Sequence, residues 1–189
     1  MKLPTPDLRS HVPLVVGLAL VATGVALSRD DSAGHSPWGP LAPLARLAAD
    51  VQWVRVDEAF RAGDPLRAFD LAERAVALDP GATHGWALLV NEQIVVLAGE
   101  LRASDPRERR AWIESGLASA ERALVSAREP AVVALVAALA LHVQTQGEVP
   151  VDWPSHPNGL VGEARAWLER ARDLGAGEAL TFLNELETR

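Results

Sequence analysis

Histidine and cysteine are the residue types that most often supply metal ligands and nucleophiles, so their number and spacing come first. The chain has no cysteine, which excludes disulfides, thiolate metal sites and cysteine nucleophiles. No histidine has a partner four residues away, and no H-E-x-x-H pattern occurs. The sequence therefore predicts no metal site. The five histidines are His11, His35, His84, His142 and His156.

The carboxylates and glycines also lack the spacing of a reaction centre. Asp57 and Glu58 are adjacent, and Glu185 and Glu187 are two residues apart, so neither pair shares one face of a helix. The nearest approach to a phosphate-binding loop, residues 175–177, follows a helix rather than a strand, and no G-x-S-x-G pattern occurs. We therefore expect a protein that is not an enzyme and has no cofactor.

The tripeptide Glu-Arg-Ala occurs three times, starting at Glu73, Glu121 and Glu169, at a constant interval of 48 residues. Each copy lies in the middle of a helix-like stretch rich in Ala and Leu. A fixed period of tens of residues is typical of stacked helical units. Adjacent Glu and Arg side chains point in different directions on a helix, so we expect solvent-facing charges beside an alanine that packs inward.

After Pro43 the pattern is helical almost without interruption. Asp64-Pro65 and Asp105-Pro106 are start signals, because Asp caps a helix and Pro suits its first position. No segment alternates with the period of a strand, so the predicted fold class is all-α. Seven helices are predicted, at about Leu44–Ala62, Pro65–Leu78, His84–Leu101, Pro106–Arg128, Pro130 to at least Val143, Leu160–Leu174 and Glu178–Glu187. In the first of these, apolar residues lie roughly on one stripe, formed by Leu44, Leu47, Ala48, Val51, Val54 and Ala59.

The N-terminal region contains an uncharged apolar run of 16 residues, Val12–Leu27. Such a helix is about 24 Å long against the roughly 30 Å of a bilayer core, so a slightly thinned membrane accommodates residues 12–28 as one transmembrane helix. Lys2 and Arg9 precede the run, which places the N-terminus in the cytoplasm by the positive-inside rule. A cleaved signal peptide is the alternative to an uncleaved anchor, and both send the remainder of the chain across the membrane.

These features divide the chain into a tail (1–11), a transmembrane anchor (12–28), a linker rich in Pro, Gly and Ser (29–43) and a helical domain (44–189). The Lys-poor, Arg- and Ala-rich composition suggests a bacterial source. The predicted location is therefore the bacterial inner membrane, with the helical domain outside the cytoplasm. The net charge of −7 disfavours contact with phosphate backbones, so we expect no nucleic-acid partner.

The segment 53–89 resembles a tetratricopeptide (TPR) repeat. Its turn is Gly63-Asp64, its small residues include Ala68 and Ala75, and Pro80 follows the second helix. The remainder is similar only in being made of helix pairs, because the usual unit has about 34 residues. The resemblance implies an α-solenoid of about three helix pairs with a capping helix, and a concave groove lined by the first helix of each pair.

By the same resemblance, groove residues that contact a partner map to Asp50, Trp53, Asp57, Arg61, His84 and Asn91. For Trp53, packing between helices is the favoured interpretation over a ligand platform. Asn91 begins a polar island, residues 91–93, which is interpreted either as a solvent-facing surface or as part of the groove. The predicted function is a membrane-anchored, non-catalytic scaffold that binds a protein or peptide. The alternative is a structural accessory subunit of a larger bacterial membrane complex.

Overall fold

The described part of the chain is built from helices. The structure is a computed structural model that describes residues 38–99, 103–147 and 151–187. No strand occurs in these residues, which confirms the all-α class. In chain order, a 3₁₀ turn (Gly39–Leu41) precedes α1 (Ala42–Arg61), α2 (Pro65–Leu78), α3 (Thr83–Asn91), a π-helical segment (Glu92–Leu97), α4 (Pro106–Ser126), α5 (Pro130–Thr145), α6 (Gly159–Asp173) and α7 (Glu178–Glu187).

The predicted start signals for α2 and α4 are confirmed by their capping contacts. The carboxylate of Asp64 accepts a hydrogen bond from the backbone N–H of Arg67 at 3.1 Å. The carboxylate of Asp105 accepts one from the N–H of Arg107 at 2.9 Å. Each satisfies a donor that the first helical turn leaves without an internal acceptor. Before α2, Gly63 has a φ of 73°, a left-handed conformation that glycine adopts without steric cost and that ends α1.

The helices pack in sequence. Each packs on the next along the chain, and α3 also packs on α5. The alanines of the three Glu-Arg-Ala copies, Ala75, Ala123 and Ala171, are no more than 1% exposed. Small side chains at these positions let neighbouring helices approach closely. The prediction that these alanines pack inward is therefore confirmed.

The first helix buries a different face from the apolar stripe that its sequence suggests. Of that stripe, Ala59 is buried, whereas Leu44, Leu47, Val51 and Val54 are exposed. The buried face of α1 consists mainly of alanines, which allow close contact between helices, and the leucines and two of the valines are left on the outer side. The buried residues of α1 are Ala42, Ala45, Ala49, Val56 and Ala59.

The third predicted helix is not continuous, because its α-helical part ends at Asn91 and a π-helical segment follows. Here the N–H of Ala98 donates to the carbonyl of Gln93, five residues earlier, at 3.1 Å. The N–H of Gly99 donates to Val96, so neither of these amides serves the carbonyl of Ile94. The side-chain amide of Gln144 on α5 donates to that carbonyl at 2.6 Å. A tertiary contact thus satisfies a backbone group that the wider turn leaves open.

A buried arginine belongs to the same network. Arg109, near the start of α4, is 1% exposed. Its Nε donates to the carbonyl of Ala98 at 3.0 Å, and its Nη2 donates to Oε1 of Gln144 at 3.0 Å. A buried guanidinium is tolerated only when such acceptors replace its hydration. Arg109 and Gln144 therefore tie the π-helical segment to α4 and α5.

The loop before α6 contributes the aromatic ring of Trp153 to the core. Trp153 is 5% exposed, and its Nε1 donates to Oε2 of Glu163 on α6 at 3.1 Å. The ring supplies apolar area while its polar edge keeps a hydrogen bond. The loop is thus fastened to α6.

The predicted location was the bacterial inner membrane, with a cytoplasmic N-terminus and an external helical domain. The helices that the structure describes contradict this prediction. None of the helices in residues 38–99, 103–147 and 151–187 is both long and apolar enough to cross a bilayer. The most apolar, α5, has 16 residues and is therefore about 24 Å long, short of the roughly 30 Å required. The predicted tail, anchor and first part of the linker, residues 1–37, lie outside the described residues.

Candidate interaction surface

The outer side of α1 carries a row of four apolar side chains in contact with solvent. Leu44 is 43% exposed, Leu47 53%, Val51 53% and Val54 60%. Their spacings of three, four and three residues place them along one line on the helix surface. Scattered exposed apolar residues are normal, but a contiguous apolar patch on a helix indicates an interaction site. We call these four residues the outer row.

The outer row has the spacing of a coiled-coil seam. With Leu44 and Val51 at heptad position a, Leu47 and Val54 occupy position d. The flanking e and g positions then include Arg55 and Asp50, both exposed. Within the described residues neither of these two side chains forms an ion pair or a hydrogen bond. The outer side of α1 therefore combines an apolar line with opposite charges on its two borders.

The structure places the predicted groove residues on two helices without gathering them into a cleft. On α1, Asp50, Asp57 and Arg61 are exposed beside the outer row, and the guanidinium of Arg61 pairs with the carboxylate of Asp57 one turn away. On α3, His84 and Asn91 are exposed. The remaining two members of the polar island are buried. Of this island only Asn91 is available to a partner.

Trp53 packs between helices, as its favoured interpretation predicted. It is partly buried against the core, and a Cβ added at Gly85 on α3 would lie 2.9 Å from its Cζ2 atom. Only glycine leaves room for the indole ring at that position. Trp53 thus packs α1 against α3, and the part of it that stays exposed is beside the outer row of the same helix.

An open cleft of about 710 Å³ lies between the α1–α2 turn, the π-helical segment and the end of α5. Its walls are mainly apolar, and they include Phe60, Val96 and Val143, which are 37%, 40% and 52% exposed. Arg109 and Gln144 form its polar part, and their hydrogen bonds to Ala98 and Ile94 hold backbone groups of the fold. We therefore assign the candidate site to the outer row, whose side chains have no such structural contacts.

The Glu-Arg-Ala copies form ion pairs with one another. The guanidinium of Arg122 lies 3.7 Å from a carboxylate oxygen of Glu73 in the preceding copy. Arg170 pairs in the same way with Glu121. The sequence showed the interval of 48 residues and led us to expect solvent-facing charges. It did not show the ion pairs, because these form only when the copies lie side by side in the fold.

Replacing Glu121 with glutamine is expected to lower the free energy of unfolding by only about 0.2–1 kcal/mol, because the pair is half exposed and solvent screens it. The effect should shrink at high salt. Urea unfolding at two salt concentrations measures it. Glu58→Gln is the matched control, since Glu58 is exposed and forms no ion pair in the described part of the chain. A loss above about 2 kcal/mol that salt leaves unchanged would contradict this account.

In the described ranges, no three His, Asp or Glu side chains converge in an arrangement that could hold a metal ion. The described residues form an all-α fold, and the outer row is an apolar surface that this fold leaves exposed. In comparisons with known proteins, no family model, curated protein or solved structure matches this chain.

Proposed function

We propose that the helices form a non-catalytic protein–protein interaction domain and that the outer row of α1 is its binding surface. The observation that carries this proposal is the exposure of four apolar side chains, 43% to 60% each, in a single line on one helix. Burying such a line against a partner removes apolar surface from water, which is the main driving force of association. The partner class that fits is a protein or peptide presenting an apolar helix face.

We further propose that the helices are arranged as a TPR-like α-solenoid, with pairs α1/α2, α3/α4 and α5/α6 and with α7 as a cap. Support comes from the sequential packing of the helices and from the contact of α3 with α5, the first helices of two successive pairs. The Gly63-Asp64 turn and the buried Ala68 and Ala75 add the close packing of one such pair. In this arrangement α1 is the first of the described α-helices, and the outer row is exposed among the described residues.

Two forms of this function differ in the stability of the complex. A scaffold binds its partner reversibly, whereas an accessory subunit stays in a stoichiometric assembly. The outer row and its flanking residues carry both charges and apolar groups, so either form buries the same residues. The stability of the complex therefore separates the two. A complex that stays stoichiometric through purification at high salt favours the accessory subunit, whereas weak binding that a peptide displaces favours the scaffold.

The proposal is tested by affinity capture with three forms of the full chain: wild type, Leu47→Glu/Val54→Glu, and Val125→Glu. Val125 is 85% exposed on α4, away from the outer row, and is the matched control. We expect a partner to be retained by wild type and by the control and to be lost by the double variant, because a buried carboxylate opposes association. The identified partner, purified, must then bind with the same dependence. Equal binding of all three forms would overturn the proposal.

A further inference from the structure

We infer that the outer row binds a second copy of the same chain, so that two α1 helices lie parallel to each other about a two-fold axis. This inference rests on the proposed function, because it names the partner of the same surface. It commits to the second copy rather than to another protein. The argument follows from the sequence positions, exposure and charge of residues on α1.

The apolar seam occupies the heptad positions that pair helices in a coiled coil. In α1 the buried residues Ala45, Ala49 and Val56 occupy heptad positions b and f, and the exposed side comprises positions a, d and g together with Arg55 at e. This is the face that a coiled coil uses, with apolar residues at a and d packing into the partner helix. Two copies would contribute eight such side chains. Because the seam spans only two heptads, we expect a dissociation constant between about 1 and 100 μM.

The charges on the two borders of the seam select the orientation. In a parallel pair, a g residue faces the e residue five positions later on the other helix, so Asp50 of each copy faces Arg55 of the other. In an antiparallel pair g faces g, which would bring Asp50 and Asp57 of the two copies together. Like charges opposed across an interface are unfavourable, whereas two symmetric Asp–Arg pairs are favourable. The parallel arrangement also gives Asp50 and Arg55 ion-pair partners, which neither has among residues 38–99, 103–147 and 151–187 of its own chain.

Charge exchange at these two positions tests the inference on the full chain by sedimentation equilibrium. Asp50→Arg places an arginine opposite Arg55 of the other copy, and Arg55→Asp places an aspartate opposite Asp50 of the other copy. Each single change is therefore expected to weaken dimerisation by about tenfold. The double variant Asp50→Arg/Arg55→Asp restores opposite charges and should recover the wild-type constant to within about threefold. Val125→Arg should leave it unchanged. Equal dimerisation of all four charge variants would overturn the parallel register.

Because the natural chain has no cysteine, single introduced thiols report the orientation directly. In a parallel pair Leu44→Cys faces its own copy and so does Val54→Cys, and each variant should form a disulfide-linked dimer on mild oxidation. In an antiparallel pair, position 44 of one copy faces position 54 of the other. The two identical thiols of either variant would then lie about 15 Å apart, at 1.5 Å per residue, and only a mixture of the two variants would cross-link. Val125→Cys, exposed on α4, is the control that should remain monomeric.

The possible failures are distinguishable. A wild-type chain that stays monomeric up to about 100 μM overturns the inference. If the outer-row double variant nevertheless loses a different captured protein, the proposed function stands with another partner. If Leu47→Glu/Val54→Glu remains dimeric and retains every partner, both the inference and the proposed function fail. A last outcome is a monomer in which the thiol of Val51→Cys reacts with a maleimide only after residues 1–37 are removed. This result would show that the chain covers its own outer row, and it also overturns the inference.

Discussion

Replacing Arg109 with alanine should lower the free energy of unfolding by about 3–5 kcal/mol. The arginine is 1% exposed, and its loss removes the donors to the carbonyl of Ala98 and to Oε1 of Gln144. Those acceptors would stay buried, and a buried acceptor without a donor keeps its full desolvation cost. The missing side chain also leaves a void in the packing. Urea unfolding followed by circular dichroism and tryptophan fluorescence measures the change.

The neighbouring arginine supplies the control. Arg110 pairs with Glu114 one turn away at 2.8 Å on the helix surface, so Arg110→Ala should cost less than about 1 kcal/mol. The Gln144 contact is isolated by the double-mutant cycle of Arg109→Ala with Gln144→Ala, for which we expect a coupling of about 1–3 kcal/mol. If Arg109→Ala were no more destabilising than Arg110→Ala, the buried network would not hold the π-helical segment in place.

The sequence predicted those parts of the fold that local signals determine. Asp64 and Asp105, each followed by proline, indicated the starts of α2 and α4, because a cap and a proline act on their own helical turn. The π-helical segment had no such signal. It depends on Arg109 and Gln144, and the contact between Gln144 and Ile94 spans 50 residues. A distortion satisfied by residues so distant along the chain is not visible in the periodicity of its own helix.

The candidate site was predicted in part. Asp50 and Asp57 lie on an exposed side of α1, but the stripe of apolar residues read from the sequence did not show which face of the helix is buried. Both faces have helical periodicity, one with alanines and the other with leucine and valine, and hydrophobicity alone favours the bulkier face. The alanine face packs on α2 because close helix contact needs small side chains, as at Ala49, which is 2% exposed. Leu47 and its neighbours in the outer row are thereby left exposed to solvent.

Trp86→Ala is expected to cost about 3–5 kcal/mol, as large aromatic truncations in a core do. The ring lies at the start of α3 and is 5% exposed. Its Nε1 donates to the carbonyl of Pro80, in the loop after α2, at 2.7 Å. The guanidinium carbon of Arg122, from α4, lies 5.5 Å from the ring centroid. One side chain of α3 thus contacts both the loop after α2 and helix α4, and thermal and urea unfolding measure the effect of its loss.

Two further variants separate the contributions of the ring. Trp86→Phe keeps most of the buried area and loses the hydrogen bond to Pro80, so it should cost about 1–2 kcal/mol. Arg122→Ala removes the cation–π contact and the exposed ion pair to Glu73, so it should cost about 0.5–1 kcal/mol. This order is expected because burial of the Trp86 ring contributes more free energy than either its hydrogen bond to Pro80 or its contact with the Arg122 guanidinium. If Trp86→Phe cost as much as Trp86→Ala, the hydrogen bond would hold the junction, and the ring would serve mainly to position its donor.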